Sequence, residues 1–114
     1  MATYDTTIHP LAFAHMEGGM KTVYVVPNAG QFTAVTSGDR IEFDDIGYIT
    51  VGTIRRYASL EELVEAEGYQ NIIPEAEDTA AAMKAIKASA DWSPTEVERS
   101  GVLAVRIRNA KRKT

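Results

Sequence analysis

Apolar and polar positions alternate along several short segments of the chain, with the two-residue period of a β-strand. The clearest case is Val102 to Arg108, where apolar side chains alternate with arginines. This pattern predicts a strand with one buried face and one solvated, basic face. Tyr48 to Tyr57 is rich in β-branched and aromatic residues, and the glycine inside it, Gly52, predicts a bulge. An apolar run predicts a further strand at Val23 to Val26, and a tight turn over residues 36–39 predicts a short strand after it, at Arg40 to Phe43.

Helix signals separate these strands. Pro10 to Glu17 is predicted to be a short helix, because proline is tolerated in a first turn and two glycines follow the segment. Ser59 and Ser93 each stand three residues before a glutamate, the spacing of a capping box, and each predicts the start of a helix. The alanine-rich segment Thr79 to Ala90 predicts another helix. This order of helices and strands favours an α+β domain.

Composition narrows the class of protein. A chain of 114 residues with 45% hydrophobic content suits one compact domain with a modest core. The absence of cysteine excludes disulfides, thiolate zinc sites and cysteine nucleophiles, and agrees with a reducing compartment. The N-terminus has no basic region followed by an apolar segment, and no stretch reaches the length of a membrane span. We therefore expect a soluble, cytoplasmic protein.

Charge is distributed unevenly around the net value of −4. The last nine residues contain five of the twelve basic residues and no acidic residue. Seven acidic residues and no basic residue lie between Glu61 and Asp78. We expect this acidic segment to repel nucleic acid and the basic end to attract it. Residues 109–114 are accordingly predicted to form a basic tail, which either contacts phosphate or serves only as a solubilising extension.

The segment Gly19-Met20-Lys21-Thr22 places a lysine where a glycine turn enters the first apolar run. By strand alternation, Lys21 shares a side with Val23 and Val25, whereas Thr22 and Tyr24 share the other side. If the valines face the core, the lysine points inward, and partial burial lowers the pKa of its amine. Such a lysine suits an anion site or acid–base chemistry. The alternative is a solvated lysine before an edge strand.

An ordered set of short motifs resembles the ASCH family, small domains related to the PUA RNA-binding fold. The matching segments are 19–23, 37–43, 54–63, 65–68, 92–96 and 101–107. The resemblance implies a single domain over residues 1–108, built as a small PUA-like mixed β-barrel of about five or six strands flanked by helices. It also implies a cleft that contains Lys21. Members of the family look like RNA-binding modules, and some are hydrolases on RNA or on acylated nucleosides.

Lys21 and Ser93 are the candidate catalytic residues, since both match positions of the family motifs. One departure is that Tyr24 stands where the family often has a glutamate, so a carboxylate for acid–base work is missing from this strand. Ser93 is also explained as a helix N-cap alone. The candidate nucleic-acid contacts are Lys21, Thr22, Tyr24, Arg55, Arg56 and Tyr57, because arginine suits phosphate and tyrosine can stack on bases. Core packing for Tyr24 and ordinary strand surface for the arginines are the competing interpretations.

No metal or cofactor site is predicted. His9 and His15 are six residues apart, which is not the helical spacing of a ligand pair, and no third ligand is evident. Glu67, at the end of a predicted helix, is expected to be exposed. The leading hypothesis is a protein that binds RNA or a nucleotide-like ligand around Lys21. The alternatives are a hydrolase, either a ribonuclease or a nucleoside amidohydrolase, and a protein-interaction module that uses the acidic helix over residues 59–67.

Overall fold

The computed structural model describes residues 1–89 and 91–113. The strands within these residues are β1 (Thr3–Thr6), β2 (Val23–Pro27), β3 (Arg40–Phe43), β4 (Gly47–Tyr57) and β5 (Val102–Arg112). These five strands form one curled sheet, an open half-barrel, in the order β1, β3, β4, β5, β2. β1 runs parallel to β3, and the other neighbouring strands are antiparallel. The predicted α+β class is confirmed, with a half-barrel of five strands as its sheet.

Helices lie between the strands, and two of them begin directly after the predicted capping residues Ser59 and Ser93. They are α1 (Pro10–Glu17), α2 (Leu60–Glu67), α3 (Tyr69–Ile72), α4 (Thr79–Lys87) and α5 (Pro94–Ser100), with a 3-10 helix at Gly30–Ala34. The Ser59 hydroxyl accepts a hydrogen bond from the Glu62 amide at 3.2 Å, which satisfies one of the free N–H groups in the first turn of α2. Ser93 caps α5 in the same way at 3.5 Å. None of the helices in the described residues is long and apolar enough to cross a membrane.

The two faces of the sheet pack against different helices, which produces two apolar clusters. On one face, Phe13 and Met16 of α1 and Phe32 of the 3-10 helix pack on strand residues that include Ile41 and Ile49. The other cluster joins α2, α3 and α4 to the sheet, through Leu60, Leu63, Val64, Ile72, Ile86, Val23, Val25, Val102 and Ala104. Every residue of β2 is buried, since this strand contributes to both clusters. This explains why its sequence is a continuous apolar run.

The bulge predicted at Gly52 is present. The pairing of β4 with β5 shifts register between Thr50 and Val51 and again between Val51 and Ile54. A Cβ on Gly52 would lie 3.0 Å from the Arg106 carbonyl oxygen, so the strands approach too closely there for a side chain to fit easily.

Three element boundaries differ from the sequence-based expectation. β1 was not predicted, because only Tyr4 of its four residues is buried and the pattern is too short to detect. β5 was expected to end at Arg108 but continues to Arg112, since residues 109–112 pair with the start of β4. The helix predicted from Thr79 to Ala90 ends at Lys87, and Ala90 lies outside the described residues.

Candidate functional site

Local backbone geometry directs Lys21 into the protein. After α1 the chain reverses at Gly19, whose φ of 81° lies in the left-handed region that favours glycine. The His15 carbonyl then accepts hydrogen bonds from the Met20 and Lys21 amides, both at 3.0 Å. The Thr22 amide donates to the Asn71 carbonyl at 2.9 Å. The backbone is therefore held on both sides of the lysine.

Lys21 is buried, with 6% of its surface exposed. Its Nζ donates a hydrogen bond to the carbonyl of Ile72, at the end of α3, where helical carbonyls lack intrahelical partners. Burial lowers the pKa of Lys21 to about 8, and the negative charge of Glu75 offsets part of that shift. An ammonium group carries three N–H donors, so donors remain for a ligand after the Ile72 bond.

Lys21 lines a cavity of about 620 Å³. Its walls come from the segment that leads into α1, the start of β2, the end of α3, the end of α4 and Asp91. The polar and charged lining residues are Thr7, His9, Lys21, Tyr24, Glu75, Ser89 and Asp91. The apolar lining residues are Ile8, Leu11, Ala12, Val25, Ile72, Ile73, Ala85, Ile86 and Ala88. Mostly apolar walls with a few polar groups are typical of a small-molecule site.

Tyr24 lies in the same cavity and holds Asp91 in place. The Tyr24 hydroxyl donates to Asp91 Oδ2 at 3.3 Å, and the Thr6 hydroxyl donates to the same oxygen at 2.7 Å. Burial, with the charge and hydrogen bond of Asp91, raises the pKa of Tyr24 far above its ordinary value, so the phenol stays protonated. Alternation had placed Lys21 and Tyr24 on opposite sides. Both reach the cavity because β2 is the edge strand of the sheet and the cavity lies along it, so that Tyr24 borders the cavity from one face and Lys21 and Val25 from the other.

Glu75 supplies a carboxylate near Lys21 although the strand lacks one. It lines the cavity from the loop after α3, and its Oε1 lies 3.5 Å from His15 Nδ1. Within the described residues, this buried nitrogen has no hydrogen-bond partner. Sequence reasoning did not identify Glu75 or Asp91 as site residues. Neither belongs to a recognisable motif with Lys21, and only the packing of α1, α3 and α4 around β2 brings them together.

Ser93 and Thr22 are not in this cavity. Ser93 lines a separate space of about 230 Å³ beside the 3-10 helix, and Asp91 is the residue that borders both spaces. Thr22 is exposed and contributes its backbone to the sheet, where its carbonyl accepts from the Ile107 amide at 3.0 Å.

The predicted trio Arg55, Arg56 and Tyr57 is divided between the two faces of the sheet, as alternation requires. Arg56 lines a space of about 380 Å³ on the face of the first cluster. Tyr57 packs against the second cluster. Its hydroxyl donates to Glu67 Oε2 at 2.5 Å, and this bond is the main reason that the pKa of Tyr57 is raised. The trio therefore does not form one contact surface.

One expectation about a charged residue was wrong. Glu67 was expected to be exposed but is buried, with 2% of its side chain accessible. Arg106 lies on the solvated basic side of β5, as expected, and its Nη2 lies 3.2 Å from Glu67 Oε1. Burial of the carboxylate is tolerated because Tyr57 and Arg106 both donate hydrogen bonds to it.

The histidines do not form a metal site. His9 lines the cavity, but its Nδ1 accepts a hydrogen bond from the Leu11 amide at 3.1 Å and so caps α1. Across the described residues, no three side chains of the His, Asp or Glu type are arranged to hold a metal ion.

No protein-family model and no curated protein matches the sequence. Solved structures do match the fold. The crystal structure of a hypothetical protein, PH0355, has a TM-score of 0.80 at 20% sequence identity, covering 97% of this chain and 100% of that chain. The solution structure of protein PF0455 from Pyrococcus furiosus has a TM-score of 0.77 at 19% identity, covering 95% of this chain and 96% of that one. At such low identity this similarity shows that the three proteins share one small fold.

Proposed function

We propose that the protein binds RNA or a nucleotide-like ligand, with a nucleoside portion occupying the cavity around Lys21. The observation that carries the proposal is a buried lysine in a largely apolar cavity of about 620 Å³. A nucleobase offers a flat apolar ring and an edge of polar atoms, and these match the isoleucine-lined walls and the free N–H donors of Lys21. The sequence resemblance to ASCH domains supports the same class of ligand.

The charges of the lining favour the nucleoside part over the phosphate. One ammonium group, Lys21, faces two carboxylates, Glu75 and Asp91, so the cavity has little net attraction for an anion. A phosphate group is better accommodated outside the cavity, where solvent screens these carboxylates. An RNA chain would thus insert one unstacked nucleotide, which is the usual way that proteins read single-stranded RNA.

Binding of the four ribonucleoside 5′-monophosphates and of short single-stranded RNA, measured by titration calorimetry, tests the proposal. We expect Lys21→Met to weaken binding by about 10-fold to 100-fold, because a hydrogen bond from a charged donor contributes about 1.5–3 kcal/mol. Lys84→Met is the matched control, since Lys84 is exposed on α4 and does not line the cavity. The absence of binding by the parent protein, or equal binding by parent and Lys21→Met, would contradict the proposal.

A hydrolase that acts on an acylated nucleoside or on RNA is the second candidate. The observation that favours it is the pKa of Lys21, about 8, close enough to neutrality for the amine to take part in proton transfer. In amide hydrolysis, water adds to the acyl carbon, the C–N bond breaks, and the leaving amine takes up a proton, which gives a carboxylate and an amine. Glu75 would accept the proton from water. Lys21 would stabilise the charge on the acyl oxygen and donate the proton that the leaving amine takes up, and the proton held by Glu75 would then restore the ammonium group.

Turnover separates this candidate from simple binding. An N-acylated cytidine and a short RNA are incubated with the parent protein, with Lys21→Met and with Glu75→Gln, and products are resolved by chromatography. The hydrolase hypothesis predicts a loss of turnover of at least about 100-fold in each variant, with a smaller loss of binding. Turnover no faster in the parent protein than in buffer would exclude the hydrolase and leave the binding proposal in place.

A further inference from the structure

Asp91 presents one occupied and one available carboxylate oxygen at the cavity wall. Its Oδ2 accepts from the Thr6 hydroxyl at 2.7 Å and from the Tyr24 hydroxyl at 3.3 Å. Across residues 1–89 and 91–113, no donor is hydrogen-bonded to Oδ1. Two hydroxyls from different strands therefore fix the orientation of the carboxylate, while its second oxygen stays free to accept from a ligand.

The chemistry of the cavity limits which donor a ligand can bring to that oxygen. A carboxylate accepts hydrogen bonds only, so the ligand group must be an N–H or O–H donor. Both the neutral N–H groups of a base and the O–H groups of a sugar can supply such a donor. The proposed function places the base toward Lys21 and the isoleucines, which leaves the sugar hydroxyls for Asp91. A hydrogen bond from a hydroxyl to a carboxylate is short and charge-assisted.

We infer that Asp91 binds the sugar hydroxyls of the ligand and makes the site selective for ribose over 2′-deoxyribose. This inference rests on the proposed function and adds the class of sugar to it. Acidic residues bind ribose 2′-hydroxyls in this way in dinucleotide sites, and the 2′-hydroxyl is the group by which proteins distinguish RNA from DNA. The base then lies toward Lys21 and the isoleucines, with the sugar at the Asp91 wall, where the smaller cavity beside Ser93 begins.

The test is a titration series in which only the sugar changes: cytidine, 2′-deoxycytidine and 3′-deoxycytidine. Because the base is the same throughout, its contribution cancels. We expect the parent protein to bind cytidine about 10-fold or more tightly than 2′-deoxycytidine, since a site built to bind a hydroxyl rejects the analogue that lacks it. Asp91→Asn should reduce this ratio to near one, because the neutral amide is a weaker acceptor. Asp45→Asn is the matched control, since Asp45 is exposed and does not line the cavity, and it should leave the ratio unchanged.

The outcomes separate this inference from the proposed function. Equal affinity of the parent protein for cytidine and 2′-deoxycytidine would overturn the inference and leave the nucleoside site standing. A ribose preference that persists unchanged in Asp91→Asn would also overturn it. Failure of the parent protein to bind any of the three nucleosides would overturn both the inference and the nucleoside site on which it rests. The comparison of the three nucleosides on the parent protein needs no variant, so it tests the preference for ribose even if Asp91→Asn does not fold.

Discussion

Lys21 carries a stability cost that the proposed ligand site would explain. Removing its ammonium group from water lowers its pKa from the ordinary value of 10.5 to about 8. By linkage, this difference represents a cost to folding on the order of 3 kcal/mol while the group is charged in both states. The charge of Glu75 is already included in this difference and offsets only part of the desolvation. A strongly perturbed lysine in a cavity is a feature of functional sites, in agreement with the ligand site proposed above.

The pKa of Lys21 makes the stability of the protein depend on pH in a defined window. Below about pH 8 both folded and unfolded chains carry the proton, so the full cost applies. Between about pH 8 and 10.5 the folded chain loses the proton and the unfolded chain keeps it, so the free energy of unfolding rises with pH. Denaturant unfolding at pH 7, 8, 9 and 10 should show this rise in the parent protein relative to Lys21→Met. The raised tyrosine pKa values act equally in both proteins and cancel in the difference. If the free energy of unfolding changed with pH in the same way in both proteins, the lowered pKa of Lys21 would be refuted.

Among the secondary-structure elements, Glu67 connects a helix to the sheet. It is the last residue of α2 and accepts from Tyr57 of β4 and from Arg106 of β5. Its carbonyl also accepts from the Asn71 side chain at 2.7 Å, which ties α2 to α3. Since α3 ends at Ile72, whose carbonyl binds Lys21, this cluster supports the wall of the cavity from behind.

We expect Glu67→Gln to destabilise the protein by about 2 kcal/mol, because a neutral amide cannot pair with the Arg106 charge and can receive the Tyr57 hydroxyl only through one oxygen. Glu65→Gln is the matched control, since Glu65 is exposed on the same helix and its replacement should change stability by less than about 0.5 kcal/mol. Chemical denaturation of the three proteins measures the difference. Equal destabilisation by both variants would show that the effect belongs to the helix and not to the cluster.

Across the whole molecule, folding neutralises much of the basic C-terminal end. Arg106 pairs with Glu67, Arg112 with Glu17 at 2.5 Å, and Lys113 with Glu42 at 2.7 Å. Arg108 donates to the Ser37 hydroxyl at 3.1 Å. These pairs leave less free positive charge for nucleic acid than the sequence implies. The acidic α2 does not line the Lys21 cavity, so its carboxylates act on a ligand only through long-range repulsion.

Replacing the exposed residues Glu61, Glu62 and Glu65 with lysine tests whether the acidic helix α2 lies away from the ligand site. We expect the affinity for a single nucleoside to be unchanged, because none of the three residues contacts the cavity. Affinity for short RNA should stay the same or increase, with a steeper salt dependence, since added cations release more counterions. Titrations at several salt concentrations measure both effects. Thermal unfolding checks the fold, because positive charge in the first turn of a helix costs a few tenths of a kcal/mol per residue. Loss of nucleoside binding in the folded variant would place the ligand near α2.

Local patterns were sufficient to identify most elements from the sequence. Proline, serine caps and glycine ends located α1, α2 and α5, because capping depends on residues three or four apart. Alternation located β5, since the period of a strand is visible within it, and β-branched and aromatic content located β4. The turn at Gly19 placed Lys21 next to a buried strand. These interactions lie within a few residues, so the sequence by itself determined them.

The cavity was decided by tertiary structure alone. Its charged residues Lys21, Glu75 and Asp91 lie on separate segments, and they meet because α1, α3 and α4 pack around β2. The burial of Glu67 and the pairing of the basic end with Glu17 and Glu42 likewise depend on contacts between distant residues. A single sequence carries no local signal for such contacts, because they depend on how whole elements pack. The sequence therefore determined the elements and the candidate lysine, and the packing decided which groups share its cavity.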